Sequence, residues 1–279
     1  MNEPGMLYVV ATPIGNLDDL SPRAARTLEE VDLIAAEDTR VTAKILNHIG
    51  VKKSLISCQK YNERERSEQI VSRILAGENV AFCSDAGTPV ISDPGGALVA
   101  KALDEGVRVV PVSGPSAVVS ALSVCGIKCD RFCFEGFLPT PKGGRRERLE
   151  ELRAEKRTMV FYEAPHKLQR TLNDMLNAFG DRQITICREM TKLHEEIWRT
   201  NLAEAKSYYD DNPPRGEYVL VIEGYNGPEN IDVTIEDAAS MAADLMAGGM
   251  SASEAAKRAA KETGFSKSEI YRMAGDIKN

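Results

Sequence analysis

Between residues 7 and 112, five short apolar runs alternate with segments of helical character, and glycines close the helices. The runs lie near 7–11, 32–36, 54–58, 80–84 and 107–112. Gly50, Gly77, Gly106 and Gly126 follow the intervening helices, where a residue free to turn left-handed ends a helix cheaply. Runs of four to six mostly apolar residues read as strands buried on both faces. Strict alternation of such strands with helices predicts a parallel α/β sheet.

Three of these strands run into loops rich in glycine and proline. The longest is Ser84-Asp85-Ala86-Gly87-Thr88-Pro89-Val90-Ile91-Ser92-Asp93-Pro94-Gly95, ahead of a helix with Pro94 near its first turn. Thr12-Pro13-Ile14-Gly15-Asn16-Leu17 follows the first strand, and Ser21-Pro22 then supplies an N-cap and a first helical residue. Ser113-Gly114-Pro115-Ser116-Ala117 follows the fifth and leads into a helix over 118–124. Parallel strands send their carboxyl ends to one edge, so the three loops form a single cradle, the usual ligand site of an open α/β sheet. Neither G-x-x-x-x-G-K-[ST] nor G-x-G-x-x-G is present, which argues against a ligand held by its phosphates.

These loops resemble the S-adenosylmethionine (SAM) cradle of the tetrapyrrole-methylase superfamily. Ala11-Thr12-Pro13-Ile14-Gly15-Asn16-Leu17 and Ser84-Asp85-Ala86-Gly87-Thr88-Pro89 are similar to one branch, the ribosomal RNA small-subunit methyltransferase I family. So are Glu37-Asp38-Thr39-Arg40, Phe161-Tyr162-Glu163-Ala164-Pro165-His166, Arg188-Glu189-Met190-Thr191-Lys192 and Gly216-Glu217-Tyr218-Val219-Leu220-Val221. The resemblance runs from about Leu7 to Tyr271. It implies a two-domain α/β fold with SAM in the cleft, methylation of a cytidine ribose 2′-hydroxyl in the decoding region of 16S rRNA, and a homodimer. The substrate would be naked 16S rRNA or the assembled small ribosomal subunit. By motif, SAM contacts fall on Pro13, on Asp85, Gly87, Pro89 and Val90, and on Ser116 and Ala117. Strand-end placement adds Tyr162, Met190 and Glu223.

Three domains are expected: a parallel α/β domain over 1–128, a mixed α/β domain over 129–226, and a helix-turn-helix-like unit over 232–279. The second carries strands near 131–135, 158–163, 183–188, 195–199 and 217–223, with helices over 144–156 and 166–179. The strand at 195–199 follows its predecessor too closely for a crossover helix, so one antiparallel pair is expected. Asn226-Gly227-Pro228-Glu229-Asn230 reads as a linker. Helices are expected over 234–247 and 252–262 and from Lys267 onward, with a glycine turn at Gly248-Gly249.

No apolar run approaches the length of a membrane span, and no signal peptide opens the sequence. The expected compartment is therefore the cytoplasm, with no membrane partner. Cys125, Cys129 and Cys133 are spaced C-x3-C-x3-C, one residue out of register for the C-x3-C-x2-C of radical-SAM proteins, so free thiols and no metal site are expected. The net charge of −7 argues against a whole-surface grip on nucleic acid. Any RNA contact must then be local. Residues 141–157 hold seven basic and four acidic side chains, and 251–279 hold six and four. Lys142, Arg145, Arg146, Lys257 and Lys267 are the candidate RNA contacts, weighed against a solvated, ion-paired helix face.

Methyl transfer to a hydroxyl requires alignment, exclusion of water and help with the departing proton. Glu37 and Asp38 stand at one strand end and Asp85 at another, and these are candidate proton acceptors. Lys192, with a pKa lowered by burial, is a candidate for orienting or activating the hydroxyl. Two other functions remain open: carbon methylation of a tetrapyrrole, and a SAM- or RNA-binding protein without turnover. The basic segment and the terminal helices favour RNA over a tetrapyrrole, and the charged strand ends favour an enzyme.

Overall fold

The structure is a computed structural model that describes residues 3–227 and 234–276. Pro228, Glu229 and Asn230 of the expected linker, and residues 232, 233 and 277–279 of the expected terminal unit, lie outside the described residues. Packing divides the chain into two compact units, Met1–Tyr225 and Asn226–Asn279.

The first unit holds two five-stranded sheets. Strands β1 (Met6–Val10), β2 (Leu33–Ala36), β3 (Leu55–Ser57), β4 (Val80–Cys83) and β5 (Arg108–Val112) form one sheet in the order β3-β2-β4-β1-β5. Every pairing in it is parallel, as alternation required. β2 and β4 are buried along their whole length. The connecting helices are α1 (Pro22–Glu30), α2 (Thr39–His48), α3 (Glu63–Leu75) and α4 (Gly96–Asp104), and α5 (Ala117–Val124) follows β5. Ser21 caps α1 by accepting the Ala24 N–H at 3.0 Å, with Pro22 at its first position. Pro94 lies outside α4, one residue before the N-cap Gly95.

The second sheet runs β6 (Phe132–Phe137), β7 (Thr158–Glu163), β10 (Tyr218–Ile222), β8 (Gln183–Arg188) and β9 (Glu196–Asn201). It is mixed, but three of its four pairings are antiparallel where one was expected. The extra two arise because β10 inserts between β7 and β8 and opposes both. Helices α6 (Lys142–Glu151), α7 (Pro165–Phe179) and α8 (Leu202–Asp211) belong to this half. α6 starts and stops earlier than expected, since Pro141 is its N-cap and Gly143 and Gly144 fit within its first turn.

The boundary expected between residues 128 and 129 is no break in packing. Val118, Ala121, Leu122 and Cys125 of α5 and its cap share one apolar cluster with Val160, Cys187, Val219 and Val221 of the second sheet. Burying that helix face against the sheet joins the halves by the same hydrophobic term that holds each together.

The second unit contains α9 (Ile235–Ala247), α10 (Ala252–Thr263) and α11 (Lys267–Asp276). Thr234 and Asp237 form a reciprocal capping box at the start of α9. The core is mostly alanine: Ala238, Ala239, Ala242, Ala255, Ala256 and Ala259, closed by Ile270 and Ala274. Small residues at these positions let the helix backbones approach closely. Among the described residues no helix is long and apolar enough to cross a membrane.

Candidate active site

A cavity of about 500 Å³ opens where the carboxyl ends of β1, β4 and β5 face the second sheet. Ile14, Ala86, Gly87, Thr88, Ile91, Asp93, Ser116 and Ala117 line one side. Phe137, Tyr162, Glu163, Ala164, Pro165, His166, Cys187, Glu189, Met190, Lys192, Glu217, Tyr218 and Val219 line the other.

Backbone pairing welds the three glycine- and proline-rich loops into one wall. The Thr12 N–H donates to the Gly87 carbonyl at 2.8 Å, and the Gly87 N–H returns to the Thr12 carbonyl at 3.0 Å. The Thr88 hydroxyl donates to the Pro115 carbonyl at 3.2 Å. Gly87 has φ +77°, which an L side chain rarely adopts. Val90 (φ +76°), Ser92 (φ +68°), Glu189 (φ +50°) and Thr191 (φ +65°) are the only non-glycine residues with positive φ among the described residues. All four flank this cavity. Left-handed backbone at a β-branched residue such as Val90 costs on the order of 1–3 kcal/mol and clusters at functional sites.

Behind the wall, two carboxylates exchange backbone hydrogen bonds. Asp85 Oδ1 accepts the Asp38 N–H at 3.0 Å, and Glu37 Oε2 accepts the Asp85 N–H at 3.2 Å. Burial raises the pKa of both Glu37 and Asp85 against these hydrogen bonds. Asp93, which lines the cavity, is raised by burial too, with the Ser84 hydroxyl opposing. Burial also pushes the Tyr162 phenol up to about 12, reinforced by the Asp93 charge.

On the far wall, Lys192 Nζ donates to Glu189 Oε1 at 3.0 Å and to Glu217 Oε2 at 2.8 Å. Burial alone would lower its pKa. The hydrogen bonds it donates to Glu217 and Glu189, and their charges, outweigh that and hold it above the ordinary lysine value. Gly15 closes one edge, where an added Cβ would lie 2.5 Å from Lys192 Cγ and 2.8 Å from Thr191 Oγ1.

Of the expected site residues, Gly87, Ser116, Ala117, Tyr162, Met190 and Lys192 lie around the cavity. Pro13, Asp85, Pro89, Val90, Glu37 and Asp38 do not line it and belong to the loops that support its wall. Three expectations need correction. Glu223 follows β10 at the end opposite the cavity, because β10 enters the site with Glu217–Val219 and runs away from it. Asp38 is a poor proton acceptor: the Arg40 guanidinium and backbone hold its carboxyl at about 2, and it caps α2. Lys192 is held as a cation rather than neutralised.

The basic helix is corrected in part. Arg145 is 5% exposed, and its Nη2 donates to Asp174 Oδ2 at 2.7 Å while Nη1 donates to the Thr140 carbonyl at 3.1 Å. It sits inside the fold and is unavailable to a phosphate. Arg146 is exposed and reaches the other Asp174 oxygen at 3.3 Å, and Lys142 is exposed. Lys257 and Lys267 are exposed on the helical unit, Lys267 donating to the Ser253 hydroxyl at 3.0 Å. Among the described residues no cluster of three or more potential ligands could hold a metal ion.

Residue-level reasoning missed Asp93, Glu163, Glu189 and Glu217, the carboxylates of the cavity. Asp93 lay in the longest strand-end loop. Glu163, Glu189 and Glu217 lay in segments that carried the family resemblance, each at or next to a strand end.

The tetrapyrrole (corrin/porphyrin) methylase family model matches residues 6–206, and the RsmI C-terminal HTH domain model matches residues 232–278. A Pseudomonas aeruginosa protein named ribosomal RNA small subunit methyltransferase I is 47% identical over 97% of this chain and 96% of its own length. A Thermotoga maritima protein of the same name is 48% identical over 220 residues, 79% of this chain but 99% of its own. Among solved structures, a Thermus thermophilus uroporphyrin-III C-methyltransferase complexed with S-adenosyl homocysteine superposes with a TM-score of 0.58. It is 18% identical and covers 82% of this chain and 100% of its own, a likeness of fold. With near-full-length identity at this level joined to the strand-end cavity, the chain belongs to the ribosomal RNA small-subunit methyltransferase I family of tetrapyrrole methylases.

Proposed function

We propose that the chain transfers a methyl group from SAM to the ribose 2′-hydroxyl of a cytidine in the decoding region of 16S rRNA. The observation that carries this reading is the cavity between the two sheets, backbone-rich on one wall and holding the fixed Lys192 cation on the other.

The cavity suits SAM chemically. Ser116 and Ala117 at the start of α5, and Ala164 and Pro165 at the start of α7, present two helix N-termini to a carboxylate. Asp93 offers a carboxylate to a positive group. Beside Met190 and Lys192, the buried Thr191 hydroxyl has no hydrogen-bond partner among the described residues. SAM supplies a methyl already activated on a sulfonium.

The chain's part is then alignment, dehydration and charge control. The Thr12–Gly87 and Thr88–Pro115 ties hold the donor wall rigid. Ile14, Ile91, Phe137 and Met190 exclude water. Glu189 and Glu217 keep Lys192 protonated, so it stabilises the oxyanion developing at the acceptor, while the hydroxyl proton passes to the solvent-exposed Glu217 carboxylate and on to water. The exposed Lys142, Arg146, Lys257 and Lys267 remain candidate phosphate contacts. The homodimer that the resemblance implies is to be checked by light scattering.

Incubation with labelled SAM and either small ribosomal subunits or naked 16S rRNA, followed by mapping of the modified nucleotide, tests the reading. Label at a cytidine ribose in the decoding region is the expected result. No transfer to RNA, with transfer to a tetrapyrrole instead, would reject it.

A further inference from the structure

The arginines of the basic segment 142–157 are all ion-paired within the fold. Arg145 and Arg146 pair with Asp174, Arg148 with Glu135 and Glu151, Arg153 with Glu150, and Arg157 with Glu155. A different group is left bare on the first unit. Tyr61 is 85% exposed in the turn between β3 and α3, the most exposed aromatic ring among the described residues. Lys60 and Arg64 flank it, both exposed and without an ion pair among the described residues.

The turn is rigid although its tip is bare. The Gln59 N–H donates to Asn62 Oδ1 at 2.7 Å, and the Asn62 N–H returns to the Gln59 carbonyl at 3.0 Å. Cys58 beneath is fully buried. Glu63, two residues past Tyr61, accepts the backbone N–H groups of Gly95 and Ala97 at 2.9 and 2.7 Å. That fixes the turn to the end of the loop whose Ile91 and Asp93 line the cavity. Since β3 is parallel to β2, its one neighbour, the turn leaves the sheet at the same edge as the cavity loops.

We propose that this turn is a contact for the single-stranded RNA on either side of the target nucleotide: Tyr61 stacks a base, and Lys60 and Arg64 hold flanking phosphates. The inference rests on the RNA methyltransferase reading above. An exposed ring with an exposed cation one residue before it and another three residues after it matches a single strand, which offers a base face between two phosphates. The tied backbone of the turn holds the base of the side chain in place, which leaves only the ring's own rotation to be ordered when a base covers it.

The test uses the full chain and a single-stranded fragment of small-subunit RNA, measuring RNA affinity across a salt series, SAM affinity and methyl transfer. Tyr61→Ala should weaken RNA binding about tenfold, as expected for one lost stack, and Tyr61→Phe should restore it. Replacing Lys60 and Arg64 with Ala should flatten the log–log salt slope by roughly 1.4, at about 0.7 per phosphate contact. SAM affinity should stay at the wild-type value in all three. If wild type methylates RNA and the Tyr61→Ala and cation variants bind it equally well, the contact is overturned while the reading stands. If wild type neither binds nor methylates the fragment and transfers no methyl to small ribosomal subunits, the reading falls and takes the contact with it.

Discussion

The Glu63 carboxylate caps the helix that Gly95 begins: one oxygen accepts the Gly95 N–H at 2.9 Å and the Ala97 N–H at 2.7 Å. Gly95 has no side chain with which to cap α4, and its φ of +118° suits glycine alone. A Cβ there would collide with the Phe82 ring. The cap is therefore supplied from α3, across the sheet edge, and it ends the loop that lines the cavity.

Glu63→Ala should accordingly cost stability and ligand affinity together. Loss of an N-cap costs roughly 1 kcal/mol, and the freed Ser84–Gly95 loop should bind SAM more weakly. Glu63→Gln, which keeps an acceptor oxygen, should lie between Ala and wild type. Denaturant unfolding and calorimetric SAM titration measure the two effects. An Ala variant with wild-type values in both would refute the role.

Arg145 and Arg146 are adjacent in sequence and opposite in consequence. Arg145 and Asp174 form a buried pair, and removing one partner of such a pair costs on the order of 3–5 kcal/mol because the other charge stays buried. The second contact from Arg146 to Asp174 should bring Arg145→Ala to the low end of that range. Arg146→Ala should change stability by less than about 1 kcal/mol, as an exposed pair does. Urea unfolding of the two single variants separates them. A stable Arg145→Ala variant would remove Arg145 from the core.

The strand and helix order of the first sheet could be read from the alternation of Leu7–Ala11, Leu33–Ala36 and Val80–Cys83 with glycine-closed helices. Local chemistry decides such features. The insertion of β10 between β7 and β8 could not be read this way, because strand order depends on partners far apart in sequence. The misplacement of Glu223 follows from that gap: a strand end is at the site only if the strand runs the right way. Arg145 shows the same limit. Its neighbours made it look like one cation in a basic surface, and only Asp174, 29 positions later, draws it inside.

Gly87→Val should weaken SAM binding more than tenfold, about 1.4 kcal/mol or more. The added Cβ would meet Ile14 Cγ2 at 3.3 Å, and a β-branched residue is strained at φ +77°. The Thr12–Gly87 pairing would distort with it. Calorimetry on a variant with native circular dichroism is the measurement, and unchanged affinity would detach this loop from the ligand.

The last prediction follows the protonation of Asp93. Burial raises its pKa above the ordinary value of 3.8, so in the ligand-free protein it takes up its proton at a higher pH than an exposed carboxyl. A positive ligand favours the ionised form. Binding of the sulfonium SAM should be at full strength above that raised pKa and should weaken as pH falls through it. The product, whose sulfur is neutral, feels one positive charge fewer and should lose less affinity over the same interval. Asp93→Asn should weaken SAM binding at neutral pH and remove most of the difference in pH dependence between the two ligands. Isothermal titration of both ligands, on wild type and variant, between pH ~7 and the ordinary carboxylate range near ~4 gives the four curves required. Identical pH dependence for SAM and product in the wild type would show that Asp93 does not meet the sulfonium charge.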